Sequence, residues 1–493
     1  MKRAFLILVD GLRPDIAEAA LAAGELPNLK ALTERGSRAR AVSVFPTTTS
    51  VGYLPFLTGC FPGTCNIPSI RWLDRSTYGG RWWKNRNEVR NYCGYQSALL
   101  DDDITSEVQT IFQLVPESLG IFTMITRGLP PERDPARNAR KVLGGMAHYV
   151  DCYGALDNRA ARELLAAADG SWRFVFTQFP AVDGYTHNAS PDSPKVLQAL
   201  RDIDRAIGHT MMRLDEKGEL DDTLFVLVSD HGATKMHTHV DLAQWFIARG
   251  VPTLHHPVLW ARNPRVAVMV AGNAFASIYA RPGDLRTKRW TMEQLRRPEA
   301  FGASEDLVSA LVREPAAAFV AAEDRDGNVR VASSSGEAII TRDQDTIRYT
   351  LLSGDPLELG ASFTGDRDEW LAHTFDAAFP DAAVHLLDQF SSPRAGDLVI
   401  AAREGYDFRG RYEIPEHRSG HGSLIRAHMH TPLWTNRPLP AAPMRTADVF
   451  PALLDWLDVR VPEGIDGRAV WQPGRAVREQ YGRRQPARAQ RGR

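Results

Sequence analysis

Short apolar runs recur through the first half of the chain, and amphipathic stretches separate them. The runs are Ala4–Val9, Ala41–Phe45, Ile121–Thr126, Phe174–Phe179 and Thr223–Val228. Each has the length of a buried strand. The clearest helical pattern places Val196, Leu200, Ile203, Ile207, Met211 and Leu214 at spacings of three and four, on one face. Strands alternating with helices predict an α/β fold, a mostly parallel sheet sandwiched by helices. Ligands of such sheets bind at the carboxyl ends of the strands.

The pattern changes near residue 240. Ala318–Ala321, Val329–Ala332, Ala338–Thr341 and Thr346–Leu351 are short β-like runs joined by RDGN, SSSG and RDQD turns. They predict a small α+β insertion with antiparallel strands, a cap over the sheet edge. The expected division is a catalytic core over residues 1–240, a cap over 241–396, and the rest of the core over 397–474. Asp397–Ala401 and Thr446–Leu457 supply the return to the α/β pattern in that last part. Residues 475–493 hold seven arginines and one glutamate and read as a disordered, solvated basic tail.

Composition narrows the classes. A net charge of −1 over 493 residues argues against a nucleic-acid binder. Cys60, Cys65, Cys93 and Cys152 form no CxxC and are too few for a disulfide framework. The opening MKRAFLILVDG has too short an apolar core for a secretory leader and reads as a first strand. No run is long enough to span a bilayer. A cytoplasmic protein without a transmembrane segment is expected.

The strand ends carry the chemistry. LILV ends at Asp10, VSVFP at Thr47, Thr48 and Thr49, FVFTQFP runs into Asp183, and LFVLVS ends at Asp230 and His231. DGYTH sets Asp183 and His187 four residues apart, on one face of a helical turn. SGHGS adds His421 between glycines. Three carboxylates and three imidazoles form a mixed N/O donor set, which suits zinc first and manganese second.

The order of these motifs resembles the alkaline phosphatase superfamily, and most closely the type I phosphodiesterase/nucleotide pyrophosphatase branch. The resemblance covers about residues 1–236 and 397–471, including the ending RTADVFPALLDWLDVRVPEGIDGRAVW. It implies two divalent metal ions. Asp10, Asp230, His231 and the nucleophile would hold one, and Asp183, His187 and His421 the other. In the family stretch the nucleophilic threonine stands ten residues before the glycine of a TG pair. The pair here is Thr58–Gly59, which makes Thr49 the nucleophile. The implied reaction is phosphoester or pyrophosphate hydrolysis through a phosphothreonine, with a metal ion lowering the pKa of the attacking hydroxyl. A helix N-terminus after Thr49 would favour the phosphoryl charge.

Two positions depart from that branch. Gly52 stands where the branch has an asparagine that contacts the phosphoryl group, and Cys65–Asn66 where it often has His-Gly. Gly52 is expected to leave space beside the nucleophile for a bulky diester. Arg71 and Lys84, in the Trp-, Tyr- and Arg-rich stretch Arg71–Tyr95, are candidates for the missing donor. That stretch reads equally as a stacking surface or as ordinary packing. A phosphomonoesterase, or a phosphomutase or other phosphotransferase, would use the same metal site. CFPGT lacks the arginine of a sulfatase motif, and a non-catalytic metal-binding homologue fits poorly with a complete ligand set. His237, His239, His428 and His430 read as surface or supporting histidines. The expected partner is a small-molecule phosphoester or pyrophosphate. The oligomeric state is not legible.

Overall fold

The computed structural model describes residues 1–79, 88–138, 146–147, 149–257, 261–284, 288–410 and 413–474. Lys84 and the basic tail over 475–493 lie outside the described residues.

The apolar runs build a seven-stranded sheet. Its order is Met444–Arg445, Ser37–Val42, His430–Thr435, Thr223–Val228, Arg3–Val9, Phe174–Phe179 and Ser118–Ile121. The central strand, Arg3–Val9, lies parallel to both neighbours in a register that sets Val9 beside Phe179 and Leu8 beside Val228. His430–Thr435 runs antiparallel to its neighbours. Every residue of Arg3–Val9, Phe174–Phe179 and Thr223–Val228 is buried, as expected of strands covered by helices on both faces. One cover is the helix Pro194–Glu216, capped by Ser193, whose hydroxyl accepts from the Val196 amide. It buries Val196, Leu200, Ile203, Ile207, Met211 and Leu214, the stripe read from the sequence. Two strands are displaced from their runs: Ser37–Val42 stops before Phe45, and Ser118–Ile121 ends where the run Ile121–Thr126 begins.

The second half forms a nine-stranded sheet in the order Phe363–Gly365, Thr346–Gly354, Gly336–Asp343, Val329–Ser333, Ala317–Glu323, Leu398–Ala402, Phe275–Ala280, Val266–Ala271 and Thr253–His255. All four β-like runs expected in the insertion are strands of it. Asp397–Ala401, expected to return to the parallel core, instead supplies the strand Leu398–Ala402, which pairs antiparallel with Phe275–Ala280 and Ala317–Glu323. It is an apolar run buried on both faces, so periodicity could not tell the two sheets apart. The sheets share one core; Phe45, just before the threonine run, meets Phe275 of the second sheet edge-on with ring centroids 5.1 Å apart. A three-stranded sheet joins the halves: Thr234–His239 lies between Gly405–Asp407 and Ser419–Gly420. Among the described residues, no helix is long and apolar enough to cross a membrane.

Candidate active site

The sheet's carboxyl edge gathers the predicted side chains. Asp10 follows the central strand, and Asp230 and His231 follow Thr223–Val228. Asp183 and His187 lie one turn apart on the helix Ala181–Asn188, which starts directly after Phe174–Phe179. Asp157 accepts from the Ala181 amide and so caps that helix. Gly11 has φ +69°, and a Cβ there would stand 2.7 Å from Asp183 Oδ1, so only glycine lets Asp183 approach Asp10. His421 arrives from far along the chain because Ser419–Gly420 pairs with Thr234 and Lys235, just past His231. The His231 and His421 rings stack with centroids 3.7 Å apart.

The donor atoms fall into two overlapping groups, Asp10–Asp230–His231 and Asp183–His231–His421, with the atoms of each within 4.8 Å of one another. His187 Nε2 is 3.2 Å from Asp183 Oδ2 and 3.2 Å from His421 Nε2. His231 therefore stands between the two groups.

Three features of the site point to cations. Asp10 Oδ1, Asp183 Oδ1 and Asp230 Oδ2 are buried without a hydrogen-bond partner. The other oxygen of Asp10 is anchored by Tyr53 Oη at 2.8 Å and Gln178 Nε2 at 2.7 Å. The three imidazoles share a tautomer: Nδ1–H of His187, His231 and His421 donates to the carbonyls of Ser419, Gly232 and Thr47. Each Nε2 is thereby turned into the site, the usual arrangement of a ligating histidine. Finally, His187 and His421 aim Nε2 at each other, and two lone pairs at that distance need a positive charge between them.

The electrostatics agree. Burial, then the charges of Asp230 and Asp183, pushes Asp10 well above the usual carboxylate range. Burial and Asp183 raise Asp230 to about 7. Burial alone would raise Asp183 too, but His187, His421 and His231 hold it well below its ordinary value. Burial opposes charge on His187, yet Asp183 raises it to about 9, so a proton fills the positive position when no cation does. Burial lowers His231 and His421.

Of the three threonines, only Thr49 reaches the surface; Thr47 and Thr48 are fully buried. Thr47 Oγ1 donates to the Ser423 carbonyl at 3.0 Å and accepts from the Gly422 amide at 2.9 Å. Thr49 Oγ1 lies 3.3 Å from His231 Nε2. The expected helix after Thr49 is shorter than read. It spans Leu54–Thr58, and residues 49–53 form turns because Ser50 has φ +68°. Gly52 opens no space beside Thr49. A Cβ there would lie 2.7 Å from Asp230 Cβ and 3.0 Å from the Asp230 carbonyl oxygen, so Gly52 lets the threonine turn pack on Asp230.

Arg71 opens the hairpin Arg71–Leu73/Val89–Asn91. Trp72, Tyr78 and Tyr92 of the same stretch are buried in the core, not displayed for stacking. His237, His239, His428 and His430 fall outside both donor groups. His428 is buried against Thr234 and the Ser423 amide, His239 pairs with Asp407, and His430 contacts Arg40 and the Phe375 carbonyl. Sequence reading missed Tyr53, Gln178, Asn273, Glu413 and His417. Asn273 Nδ2 donates to Glu413 at 2.9 Å, and the His417 ring stacks on His187 at 4.1 Å. Gln178, inside an apolar strand next to the edge, was the one signal available for them.

A sequence profile of the type I phosphodiesterase / nucleotide pyrophosphatase family matches residues 4–424. Among curated proteins, the catalytic subunit of human GPI ethanolamine phosphate transferase 2 is 23% identical over 239 residues, covering 48% of this chain and 21% of its own. The Aspergillus oryzae GPI ethanolamine phosphate transferase 2 is 27% identical over 111 residues, 20% of this chain and 13% of its own. The chain thus matches about a fifth or less of these relatives' length. Among solved structures, phosphonoacetate hydrolase from Sinorhizobium meliloti 1021 with phosphonoacetate has a TM-score of 0.58 at 16% identity, over 92% of this chain and 96% of that one. Human ectonucleotide pyrophosphatase / phosphodiesterase 5 has a TM-score of 0.58 at 15% identity, over 96% and 99%. Both share the fold, that of the alkaline phosphatase superfamily.

Proposed function

We propose, since this chain belongs to the type I phosphodiesterase/nucleotide pyrophosphatase family and is a phosphoester hydrolase, that it cleaves diesters and pyrophosphates through a phosphothreonine on Thr49. The observation that carries this reading is the position of Thr49 Oγ1, the one hydroxyl of its run that reaches the surface, 3.3 Å from His231 Nε2, whose two donor groups hold three carboxylate oxygens without a hydrogen-bond partner. Two divalent ions, zinc before manganese, would be held by Asp10, Asp230, His231 and Thr49, and by Asp183, His187 and His421. They would acidify the attacking hydroxyl and neutralise charge on the phosphoryl oxygens.

The chain's own contribution is placement. Asp10 is oriented by Tyr53 and Gln178, and His421 by the Thr47 carbonyl. The Ser50 turn holds Thr49 Oγ1 3.3 Å from His231 Nε2. Thr49 attacks, the alcohol or phosphate opposite leaves, and water then displaces Thr49 and regenerates it. No arginine follows Thr49 to grip a dianionic monoester, which favours a diester or pyrophosphate.

A second reading has a specific support. The curated relatives are named phosphate transferases, so an acceptor alcohol could take the group from Thr49 in place of water.

The test incubates wild type and Thr49→Ala with bis-p-nitrophenyl phosphate and p-nitrophenyl phosphate, with and without acceptor alcohols. Expected are a higher kcat/KM for the diester, a covalent adduct on the Thr49 peptide by mass spectrometry, and loss of turnover in Thr49→Ala with metal retained. Full turnover in Thr49→Ala would refute the nucleophile. Alkyl phosphate products would favour transfer.

A further inference from the structure

Arg71 is a charged group of the hairpin beside the site that, among the described residues, has no counter-ion within ion-pair distance. Its Nε donates to Asn91 Oδ1 at 3.0 Å and one terminal nitrogen to the Val270 carbonyl at 3.1 Å. Both acceptors are neutral. Among the described residues no carboxylate comes within 4.0 Å of the guanidinium, and its other terminal nitrogen makes no hydrogen bond. The mount is rigid. Asn91 Nδ2 donates to His256 Nε2 at 3.0 Å, which requires a neutral His256. Burial, reinforced by the Arg71 charge, pushes His256 down to about 3.

The position is close to the cation ligands but outside their ring. Val270 precedes Gly272 by two residues, and the Gly272 carbonyl accepts from the His421 amide at 2.8 Å. The Arg71 charge acts on Glu413, which is engaged by Asn273 at 2.9 Å and by His417 at 3.2 Å. His417 in turn stacks on His187. Arg71 is thus tied to the segment whose Gly272 carbonyl holds the His421 amide, and its charge reaches Glu413, the partner of the His417 that stacks on His187.

We infer that Arg71 binds a second anionic group, a carboxylate or a phosphate, that the substrate carries beyond the phosphoryl group attacked by Thr49. The inference rests on the hydrolase reading above and narrows its substrate class. A guanidinium presents a planar fork that matches either oxyanion. Asn91 and the Val270 carbonyl hold that fork in place before the ligand arrives, which reduces the ordering cost of binding. A partly buried cation without a partner gains most from an anion, and the committed Glu413 cannot supply one. Arg71 is therefore a specificity group for the substituent, not the replacement for the missing phosphoryl-contacting asparagine.

The test measures inhibition of bis-p-nitrophenyl phosphate turnover by ethylphosphonate, 3-phosphonopropionate and 1,2-ethylenediphosphonate, in wild type, Arg71→Ala and Arg71→Lys. The readout is the ratio of each doubly anionic inhibitor's Ki to that of ethylphosphonate, measured with divalent metal in excess of inhibitor and with the metal content of each variant matched to wild type. In wild type at least one doubly anionic inhibitor binds about ten-fold or more tighter than ethylphosphonate. Arg71→Ala abolishes that preference and Arg71→Lys keeps part of it. Loss confined to the carboxylate or to the diphosphonate supports the inference and names the anion. An unchanged ratio in Arg71→Ala, with turnover intact, overturns the inference and leaves the hydrolase reading standing. A wild-type protein that cleaves neither p-nitrophenyl ester overturns both.

Discussion

Asp381 and Asp397, in the half built around the second sheet, are as deeply buried as Asp10 and Asp230 at the edge of the first. Asp381 is gripped by Arg445 through two hydrogen bonds of 2.6 and 2.9 Å, and Asp397 by Arg75 at 2.7 Å. Among the described residues, Asp10, Asp183 and Asp230 have only histidines within ion-pair distance. The fold can supply an arginine to a buried carboxylate, as it does for Asp381 and Asp397. Along the sheet edge it supplies histidines instead, and the burial of Asp10 and Asp230 costs stability that a bound cation would offset.

This comparison predicts opposite consequences for the same substitution. Asp230→Asn should lower kcat by roughly three orders of magnitude or more, because it removes a group that acts through bound charge. It should reduce the metal content, yet leave the metal-free protein no less stable in urea. Asp381→Asn should retain its metal and lose about 3–5 kcal/mol of stability, because it strands Arg445 in the core. If Asp230→Asn unfolded the metal-free protein, the distinction between the two kinds of carboxylate would fail.

A smaller effect follows from pH. Asp230 is raised to about 7 against an ordinary 3.8, so the folded metal-free protein binds its proton more tightly than the unfolded chain does. The contribution of Asp230 is then largest in acid and falls as pH rises from about 4 to 7. Chelated protein should gain thermal stability from Asp230 between pH 7.5 and 5.5, and Asp230→Asn should flatten that gain. Metal-loaded protein should lose stability over the same interval, since protons compete with the ion. Melting curves with and without chelator would reverse the comparison if both forms moved together.

The smallest effect concerns Gly52. Restoring the family's asparagine there should not improve phosphoryl binding. Gly52→Asn should cost about 1–3 kcal/mol by overpacking against Asp230 and should weaken metal retention. A gain in kcat/KM would show that the threonine turn has room the structure does not display.

Much of the site was legible because strand ends are legible. Asp10, Asp183, Asp230 and His231 each follow an apolar run, and the parallel order brings such ends to one edge. Thr49 could be placed by motif, but its turn could not: the φ of Ser50 is imposed by packing, and the run SVGYLPFL looks helical by composition. Gly52 was misread as open space because a sequence shows a missing side chain but not what fills its place. The strand Leu398–Ala402 fell to the wrong sheet because two buried sheets share one hydrophobic pattern. Tyr53, Asn273 and His417 were illegible, since each meets the site through contacts distant along the chain.

His421 is tied to the second half of the molecule. Its amide donates to the Gly272 carbonyl, and its own carbonyl accepts from Ala274, while the other proposed ligands hang on the first sheet. Residues 1–240 alone therefore hold Asp10, Thr49, Asp183, His187, Asp230 and His231 but lack His421, one of the proposed ligands. The proposed site is thereby a joint product of the two halves of the molecule, assembled only when the later segment docks on the earlier one.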